Sequence, residues 1–327
     1  IAAASNTVAQ SYISGNIFGA TLINSSYNTI SLSTMIGAYG LYIGGGSWNS
    51  VTQSALWGGT YAAYMTGNAA RNIISFSTMT SNSAGNAALY LYQASSNTIL
   101  NSYVQGSTAA LVSGSTGTYF GGTVFVATNT FGSAVAVASG SVNLTIATST
   151  LFAPSLGRGL ALNPGNVGVV SLSSVIFTGA ARGIEISTQG ANFSLAVDSI
   201  TFRGLAAGAT AIHFLDGYFV STFTLANFES ANIGANVSGA ALDLGSRLTM
   251  NAHYGARTGE DYENDPNKLV DWQGQAPFQG CVLTRSVGAG QSYATIQSAV
   301  NSPSTSDRSF MTRDSSTLWQ SMAIFRG

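Results

Sequence analysis

An Asn-x-apolar element recurs at nearly constant spacing along the first hundred residues of the chain. It occurs at Asn6, Asn28, Asn49, Asn72 and Asn97, so the successive intervals are 22, 21, 23 and 25 residues. Later segments keep a period of about 21 to 27 residues as far as about residue 248. A unit of this size cannot bury its apolar side alone, so stacked neighbours must cover it. The period therefore predicts a solenoid of about ten coils.

Within one repeat, apolar and polar residues alternate with a period of two. Residues 28–33 read Asn-Thr-Ile-Ser-Leu-Ser, residues 41–43 read Leu-Tyr-Ile, and three glycines follow. Such alternation between turn residues is typical of short strands, and the apolar spacing does not favour helices. We expect an all-β, parallel β-solenoid in which Ile30, Ile74 and Ile99 lie in one internal column.

The chain contains unusually few charged residues. They make up 7% of the sequence, against roughly 25% in an ordinary soluble domain, and Arg71 is the only Asp, Glu, Lys, Arg or His before residue 158. A net charge of -1 disfavours nucleic acid as a partner. Apolar runs are too short for a membrane-spanning helix, and the single cysteine, Cys281, predicts neither a disulfide framework nor a zinc site.

Two segments carry a resemblance to a known family. Residues 26–37 contain Ser-Tyr-Asn-Thr-Ile, and residues 96–106 begin with Ser-Asn-Thr-Ile. Both resemble the degenerate repeat of pectin-lyase-like right-handed parallel β-helices. The resemblance implies a right-handed β-helix over residues 1–254. Because these coils carry lyases, hydrolases, tailspikes and adhesins alike, it implies a fold rather than an activity.

The end of the chain predicts a second unit. Residues 287–300 resemble the segment that opens such β-helices, which in that family forms a capping helix, and Ile296, Ala299 and Val300 fall on one helical face. Residues 255–284 are rich in carboxylates and predict an acidic linker or junction loop. We therefore expect residues 285–327 to form the N-terminal cap and first strand of a following, truncated β-helix.

Tandem β-helices of low charge, rich in Ser, Thr, Asn and Gly, resemble modules of very large bacterial surface proteins. This resemblance implies an extracellular or cell-surface rod with a structural or adhesive role. Its expected partners are adjacent modules of the same chain or other copies, joined end to end or laterally, together with surface glycans. No cofactor is expected. The first six coils lack carboxylates and histidines, so we expect the chain not to be an enzyme.

An alternative is a carbohydrate-active enzyme, a polysaccharide lyase or hydrolase. Four later segments align as equivalent strands, with Ala161, Glu185, His213 and Asp243 at their centres. If their apolar neighbours point inward, these residues form an external ladder with an imidazole between two carboxylates, and Arg182 is a candidate clamp for a substrate carboxylate. The other interpretation is an exposed polar ladder that only stabilises the stack.

Two further groups are candidate binding residues. Tyr42 and Tyr90 should face outward beside apolar neighbours, where aromatic rings bind sugars or pack against other chains. Oxygen ligands at close spacing suit calcium, but the acidic segment lacks the glycine-containing pattern of a calcium loop, so we expect no metal and a solvated loop. Its carboxylates are Glu260, Asp261, Glu263 and Asp265.

Overall fold

The computed structural model describes residues 4–138, 140–187 and 200 and, from residue 193 onward, the strands given below. The strands of the first part are β1 (Thr7–Ala9), β2 (Tyr12–Ser14), β3 (Phe18–Ile23), β4 (Thr29–Ser31), β5 (Thr34–Gly44), β6 (Ser50–Thr52), β7 (Ala55–Thr66), β8 (Ile73–Ser75), β9 (Thr78–Ser81), β10 (Ala87–Tyr92), β11 (Thr98–Leu100), β12 (Tyr103–Gly106), β13 (Thr108–Ser113), β14 (Thr116–Gly121), β15 (Val124–Ala127), β16 (Ser133–Ala138), β17 (Val142–Ala147) and β18 (Thr150–Phe152). The chain continues with β19 (Arg158–Leu162), β20 (Val167–Ser173), β21 (Ile176–Thr178), β22 (Arg182–Ile186), β23 (Phe193–Asp198), β24 (Thr201–Arg203), β25 (Thr210–Phe214), β26 (Thr222–Ala226), β27 (Phe228–Ser230), β28 (Ala235–Val237), β29 (Arg247–Met250), β30 (His253–Tyr254), β31 (Tyr262–Asn264), β32 (Asp271–Gly274), β33 (Leu283–Val287), β34 (Arg308–Arg313) and β35 (Met322–Phe325).

The strands stack in three parallel columns, one for each face of the coil. The first column is β1-β4-β6-β8-β11-β14-β17-β20 and continues to β32. The second begins with β2 and the third with β3, and both pass through β5 and β7, which are long enough to turn the corner between them. Eight coils, each opened by a strand of the first column, lie within residues 4–187. We number them 1 to 8 along the chain.

The predicted parallel β-solenoid is confirmed. Ile30 pairs through Val51 with Ile74, and Ile74 pairs with Ile99 in parallel register. All of these side chains lie in the core and are at most 1% exposed. About ten coils were expected; eight are described in full, and strand pairing continues in the same columns beyond them. No helix in the described part of the chain is long and apolar enough to span a membrane.

The repeated asparagines form a buried ladder at the corner that precedes the first column. In each successive pair among Asn6, Asn28, Asn49, Asn72 and Asn97, the Oδ1 of one accepts hydrogen bonds from the backbone N–H and the Nδ2 of the asparagine one coil earlier. The N···O distances are 2.9 to 3.0 Å. Because buried backbone donors need partners, this ladder both satisfies the corner and fixes the register.

A second ladder, of hydroxyl side chains, follows the first column. Every hydroxyl of the ladder after the first one accepts a hydrogen bond from the backbone N–H of the ladder residue one coil earlier. Each hydroxyl also donates to the carbonyl two residues before itself, as in Ser33 and Ser54. Its members are Ser11, Ser33, Ser54, Ser77, Ser102, Thr123 and Ser149. Hydrogen bonds between successive coils therefore hold both corners of this face.

The residue before each ladder position has a left-handed backbone. Trp48 (φ 58°) precedes Asn49, and Leu32 (φ 50°) precedes Ser33. Non-glycine residues rarely adopt this conformation, because the Cβ crowds the backbone. It turns the chain sharply enough for the next side chain to enter the interior. The buried polar side chain and the left-handed residue thus form one corner unit.

The segments after residue 250 contain further strands. β31 and β32 lie within the segment predicted as a linker, and they pair in parallel with β28 and β29. β33 pairs in parallel with β34, which pairs antiparallel with β35. The helix expected at residues 293–300 of this segment lies outside the described residues. The division into domains at residues 254 and 284 stays a prediction.

Replacing Asn49 by alanine tests the asparagine ladder. The change removes the acceptor of the Asn28 backbone N–H and of its Nδ2, two donors that are buried. At about 1–3 kcal/mol for each unsatisfied buried group, we expect the free energy of unfolding to fall by roughly 2–4 kcal/mol in chemical denaturation. The control is Asn82→Ala in an exposed loop, which should change it by less than about 0.5 kcal/mol. Equal losses in both variants would contradict a structural role for the ladder.

Candidate functional site

The outward side of the third column carries one continuous row of residues. Tyr42 pairs with Tyr64, and Tyr64 pairs with Tyr90. The neighbours of Tyr42 and Tyr90, such as Leu41 and Leu89, are fully buried in the core. Because side chains alternate across a strand, the tyrosines face outward. The structure therefore places both sequence-predicted tyrosines, Tyr42 and Tyr90, on the outside of the same column.

These tyrosines belong to a larger aromatic surface over coils 1 to 4, which we call the tyrosine stripe. Each ring in it contacts at least one other ring, with centroids 5.1 to 6.0 Å apart. The stripe consists of Phe18, Tyr39, Tyr42, Tyr61, Tyr64, Tyr90 and Tyr92. It contains no charged side chain. Its length across three coil steps is about 14 Å, at about 4.8 Å per step.

The rings within the stripe have two orientations. Tyr64 and Tyr90 are stacked at 5.1 Å with an angle of 15° between their planes, and Tyr61 stacks on Tyr64 at 5.3 Å. Tyr42 instead stands at 88° to Tyr39 and lies over Gly44, where an added Cβ would come within 2.9 Å of its ring. The stacked rings therefore cover part of one another's faces. Tyr42 can therefore hold this orientation because residue 44 is glycine.

Burial raises the pKa of the Tyr61 and Tyr90 phenols above the usual 10.0. Neighbouring phenols contribute in the same direction, because a second phenolate close by would be repelled. Both groups therefore stay protonated at neutral pH, as uncharged hydroxyls that can donate and accept hydrogen bonds. The stripe presents polar but neutral groups.

Farther along the same outward row lies a charged cluster. From Tyr90 the row continues through Leu111, Ala136 and Ala161 to Glu185 in coil 8. Residues 4–187 contain four charged side chains, and three of them, Arg158, Arg182 and Glu185, meet in this cluster.

The carboxylate of this cluster lies beneath two guanidinium groups. Glu185 is 5% exposed; its Oε1 pairs with the Nε of Arg158, and its Oε2 lies 3.0 Å from a terminal nitrogen of Arg182. The two arginines stand in register one coil apart and are about one-third exposed. An isolated buried carboxylate would be costly, and the two cations compensate for its loss of hydration.

The expected external ladder is only partly assembled. Glu185 is in register with His213, as the sequence predicts, but Glu185 is buried rather than exposed, because Arg158 and Arg182 lie over it. The residue in register with His213 on the following strand is Asn236. Asp243 lies outside the described residues. The described residues thus bring together the carboxylate, both arginines and the backbone position of His213.

The acidic segment proposed as a weak metal site is described only in part. Glu263 lies in β31, while Glu260, Asp261 and Asp265 are outside the described residues. Among the residues that the structure describes, there is no group of three or more His, Cys, Asp or Glu that could hold a metal ion. The calcium alternative therefore receives no support from the described part of the chain.

Sequence reasoning missed most of the stripe, namely Phe18, Tyr39, Tyr61, Tyr64 and Tyr92. A signal was present, since Tyr39 and Tyr42 recur 22 residues later as Tyr61 and Tyr64. Residues three apart should face opposite sides of a regular strand. In these two long strands the alternation is broken between the tyrosines, because two consecutive residues are both buried there, Gly40 and Leu41 in β5 and Ala62 and Ala63 in β7. That irregularity brings both tyrosines of each pair to one surface.

No protein-family model and no curated protein matches the sequence. Among solved structures, the chain is similar to DFA-IIIase from Arthrobacter chlorophenolicus A6 (12% identity, 77% of this chain, 68% of that chain, TM-score 0.47). It is also similar to an alginate lyase from Paenibacillus (10% identity, 82% and 100%, TM-score 0.39) and to PfbA, a surface adhesin of Streptococcus pneumoniae (9% identity, 76% and 83%, TM-score 0.33). These neighbours are pectin-lyase-like parallel β-helices. The parallel β-helix that the resemblance implies is confirmed by the strand columns of the structure itself.

The expectation that the chain is not an enzyme is wrong. The similar solved structures include carbohydrate-active enzymes, DFA-IIIase and an alginate lyase, as well as an adhesin. The expectation rested on the first six coils, which lack carboxylates. That argument did not extend to coils 7 and 8, where Arg158, Arg182 and Glu185 meet.

The raised phenol pKa values predict a loss of stability at alkaline pH. Because the pKa values of Tyr61 and Tyr90 are raised by folding, their contribution is complete below pH 10.0 and is lost as the pH rises through the folded values. The free energy of unfolding, measured by chemical denaturation, should therefore decline above about pH 10. The decline should be shallower in Tyr61→Phe/Tyr90→Phe and unchanged in Tyr12→Phe, whose ring is 72% exposed. Identical slopes in all three proteins would contradict this origin.

Proposed function

We propose that the chain is a saccharide-binding β-helix that holds a glycan chain along the tyrosine stripe, parallel to the axis of the coils. The observation that carries this proposal is the unbroken contact of aromatic rings over four consecutive coils, on the outer side of one strand column. In a rigid column, equivalent ring positions on successive coils lie about 4.8 Å apart. Such a row suits an extended chain better than a compact ligand.

The chemistry of the stripe favours sugars. Tyrosine rings offer apolar surface to the C–H faces of a pyranose or furanose, and their hydroxyls exchange hydrogen bonds with sugar hydroxyls. Before Arg158, the only charged side chain of the described residues is Arg71, which lies at another corner over the ring of Trp48. The stripe therefore favours an uncharged glycan.

A glycan-binding rod also fits the setting expected from the sequence. The described coils present Ser, Thr, Asn and aromatic side chains with few charges, a surface suited to hydroxyl-rich partners. We propose a secreted or cell-surface location, where surface glycans are the partners and neighbouring modules or other copies extend the rod. Adhesion is one role that such binding would serve.

Loss of single rings should weaken glycan binding. Each of Tyr64→Ala and Tyr90→Ala should reduce affinity by roughly two- to tenfold, since a lost aromatic contact is worth about 0.5–1.5 kcal/mol beyond buried area. Affinity electrophoresis through neutral polysaccharides, beside acidic ones such as alginate, provides the measurement. Tyr12→Ala, at an exposed tyrosine of the second column, is the matched control and should bind as the unmodified chain does. Unchanged binding in both stripe variants would refute the proposal.

A second candidate function is cleavage of the bound chain at coils 7 and 8. The observation that favours it is that Glu185 shares its outward row with Tyr42, Tyr64 and Tyr90, about four coil steps, or about 19 Å, beyond the stripe. A glycan lying along the row would cross the small side chains of Ala136 and Ala161 and reach the carboxylate. An ionised carboxylate can accept a proton, and paired guanidinium groups can stabilise developing negative charge.

Glu185→Gln separates this second function from binding. The variant should lose release of reducing or unsaturated products while keeping its affinity for the same polysaccharide, because the tyrosine stripe is unchanged. Arg71→Gln, which lies at another corner, is the control and should keep full turnover. Equal turnover in Glu185→Gln and in the unmodified chain would remove Glu185 from catalysis. Absence of turnover on every polysaccharide tested would remove the second candidate and leave the binding proposal standing.

A further inference from the structure

We propose that the tyrosine stripe is also a site of oxidative cross-linking, at which Tyr64 and Tyr90 couple into dityrosine and tie coil 3 covalently to coil 4. This inference does not depend on glycan binding. It concerns a covalent modification of the same side chains, and it rests on their mutual geometry alone.

The two rings are held ready for coupling by the parallel strands. Tyr64 and Tyr90 are direct register partners, their ring centroids are 5.1 Å apart, and their planes differ by 15°. Tyr61 contacts both of them at 5.3 and 5.5 Å. Groups fixed side by side in a rigid framework react as though they were at very high concentration. A radical on one phenol therefore has a partner phenol within reach before it can diffuse to another molecule.

The surrounding stripe supports the same reaction. Tyr39 and Tyr42 contact Tyr64 at 5.9 and 5.7 Å, so oxidation at another phenol of the stripe can be passed along to the stacked pair. Tyr64 and Tyr90 are half-buried, which leaves part of each side chain accessible to a small oxidant. Tyr12 and Tyr27 differ in being 72% and 60% exposed and lying on other faces of the coil.

The reaction balances with a peroxide as oxidant and a haem peroxidase as catalyst. Each phenol gives up one electron and one proton and becomes a phenoxyl radical. The two radicals form one carbon–carbon bond between ring positions ortho to the oxygens, and the two ring protons move to the oxygens to restore both phenols. The peroxide accepts two electrons and two protons and leaves as two molecules of water. The product is lighter than the chain by two hydrogen atoms.

Such a bond would provide a covalent link between two coils, which the sequence otherwise lacks. Cys281 is the single cysteine, so no disulfide within the chain can join two coils. Coils of a solenoid are held together along the axis by non-covalent contacts between neighbours. A link between Tyr64 and Tyr90 would close a loop of chain that contains one residue of each ladder. It would restrict the unfolded chain as a disulfide does. The temperature of unfolding should therefore rise.

The test treats the dilute, folded chain with hydrogen peroxide and a haem peroxidase. We expect dityrosine fluorescence in monomeric protein, a cross-linked peptide pair that joins the segment with Tyr64 to the segment with Tyr90, and a raised temperature of unfolding. Tyr64→Phe/Tyr90→Phe keeps both rings and should lose most of the fluorescence. The matched control, Tyr12→Phe/Tyr27→Phe, removes two exposed phenols and should keep it.

Three outcomes would overturn the proposal. They are equal dityrosine yields in the two double variants, cross-links that map to Tyr12 or Tyr27, and dityrosine found only in covalent dimers. The same treatment in concentrated urea provides an internal check, because unfolding separates the rings. An equal yield of the Tyr64–Tyr90 link with and without urea would show that the folded geometry does not direct the coupling. None of these measurements requires a saccharide, so failure here leaves the binding proposal untouched.

Discussion

Buried polar groups at the corners of each coil find their hydrogen-bond partners only on the adjacent coil. The backbone N–H of Asn28 donates a hydrogen bond to the side chain of Asn49, and the backbone N–H of Ser33 donates one to the hydroxyl of Ser54. A buried donor without a partner is costly, so no coil is stable by itself and none can slip relative to the next. This constraint makes the column rigid. The side chains of every outward row therefore have the same fixed spacing as the coils.

The outward rows show what the rigid column does for function. Over coils 1 to 4 the third column presents touching tyrosines, and at coils 7 and 8 the same row presents Glu185 beneath Arg158 and Arg182. Between them the row carries Leu111, Ala136 and Ala161. A neutral aromatic surface and a charged cluster therefore lie on one line parallel to the axis, which allows a single extended ligand to contact both.

The asparagine ladder changes partway along the molecule without loss of the stack. After Asn97 the equivalent positions are Thr118 and then Leu144, both buried. The corner thus turns from hydrogen-bonded to apolar, while the hydroxyl ladder continues through Thr123 to Ser149. One bonded corner is enough to keep the register there, since the core and the strand ladders already favour it. This explains why the repeat is plain to residue 97 and degenerate after it.

The sequence by itself determined the parallel stack, the inward column of Ile30, Ile74 and Ile99, and the outward positions of Tyr42, Tyr90 and the Glu185 row, because a period of two decides the side of a strand from local order alone. The tertiary structure decided which outward residues meet. Tyr39 joins the stripe because the alternation of β5 breaks at Gly40 and Leu41, which are both buried, and Glu185 is buried because Arg158, 27 residues earlier, lies one coil away. Such proximities depend on corner geometry and coil length, which no local pattern encodes.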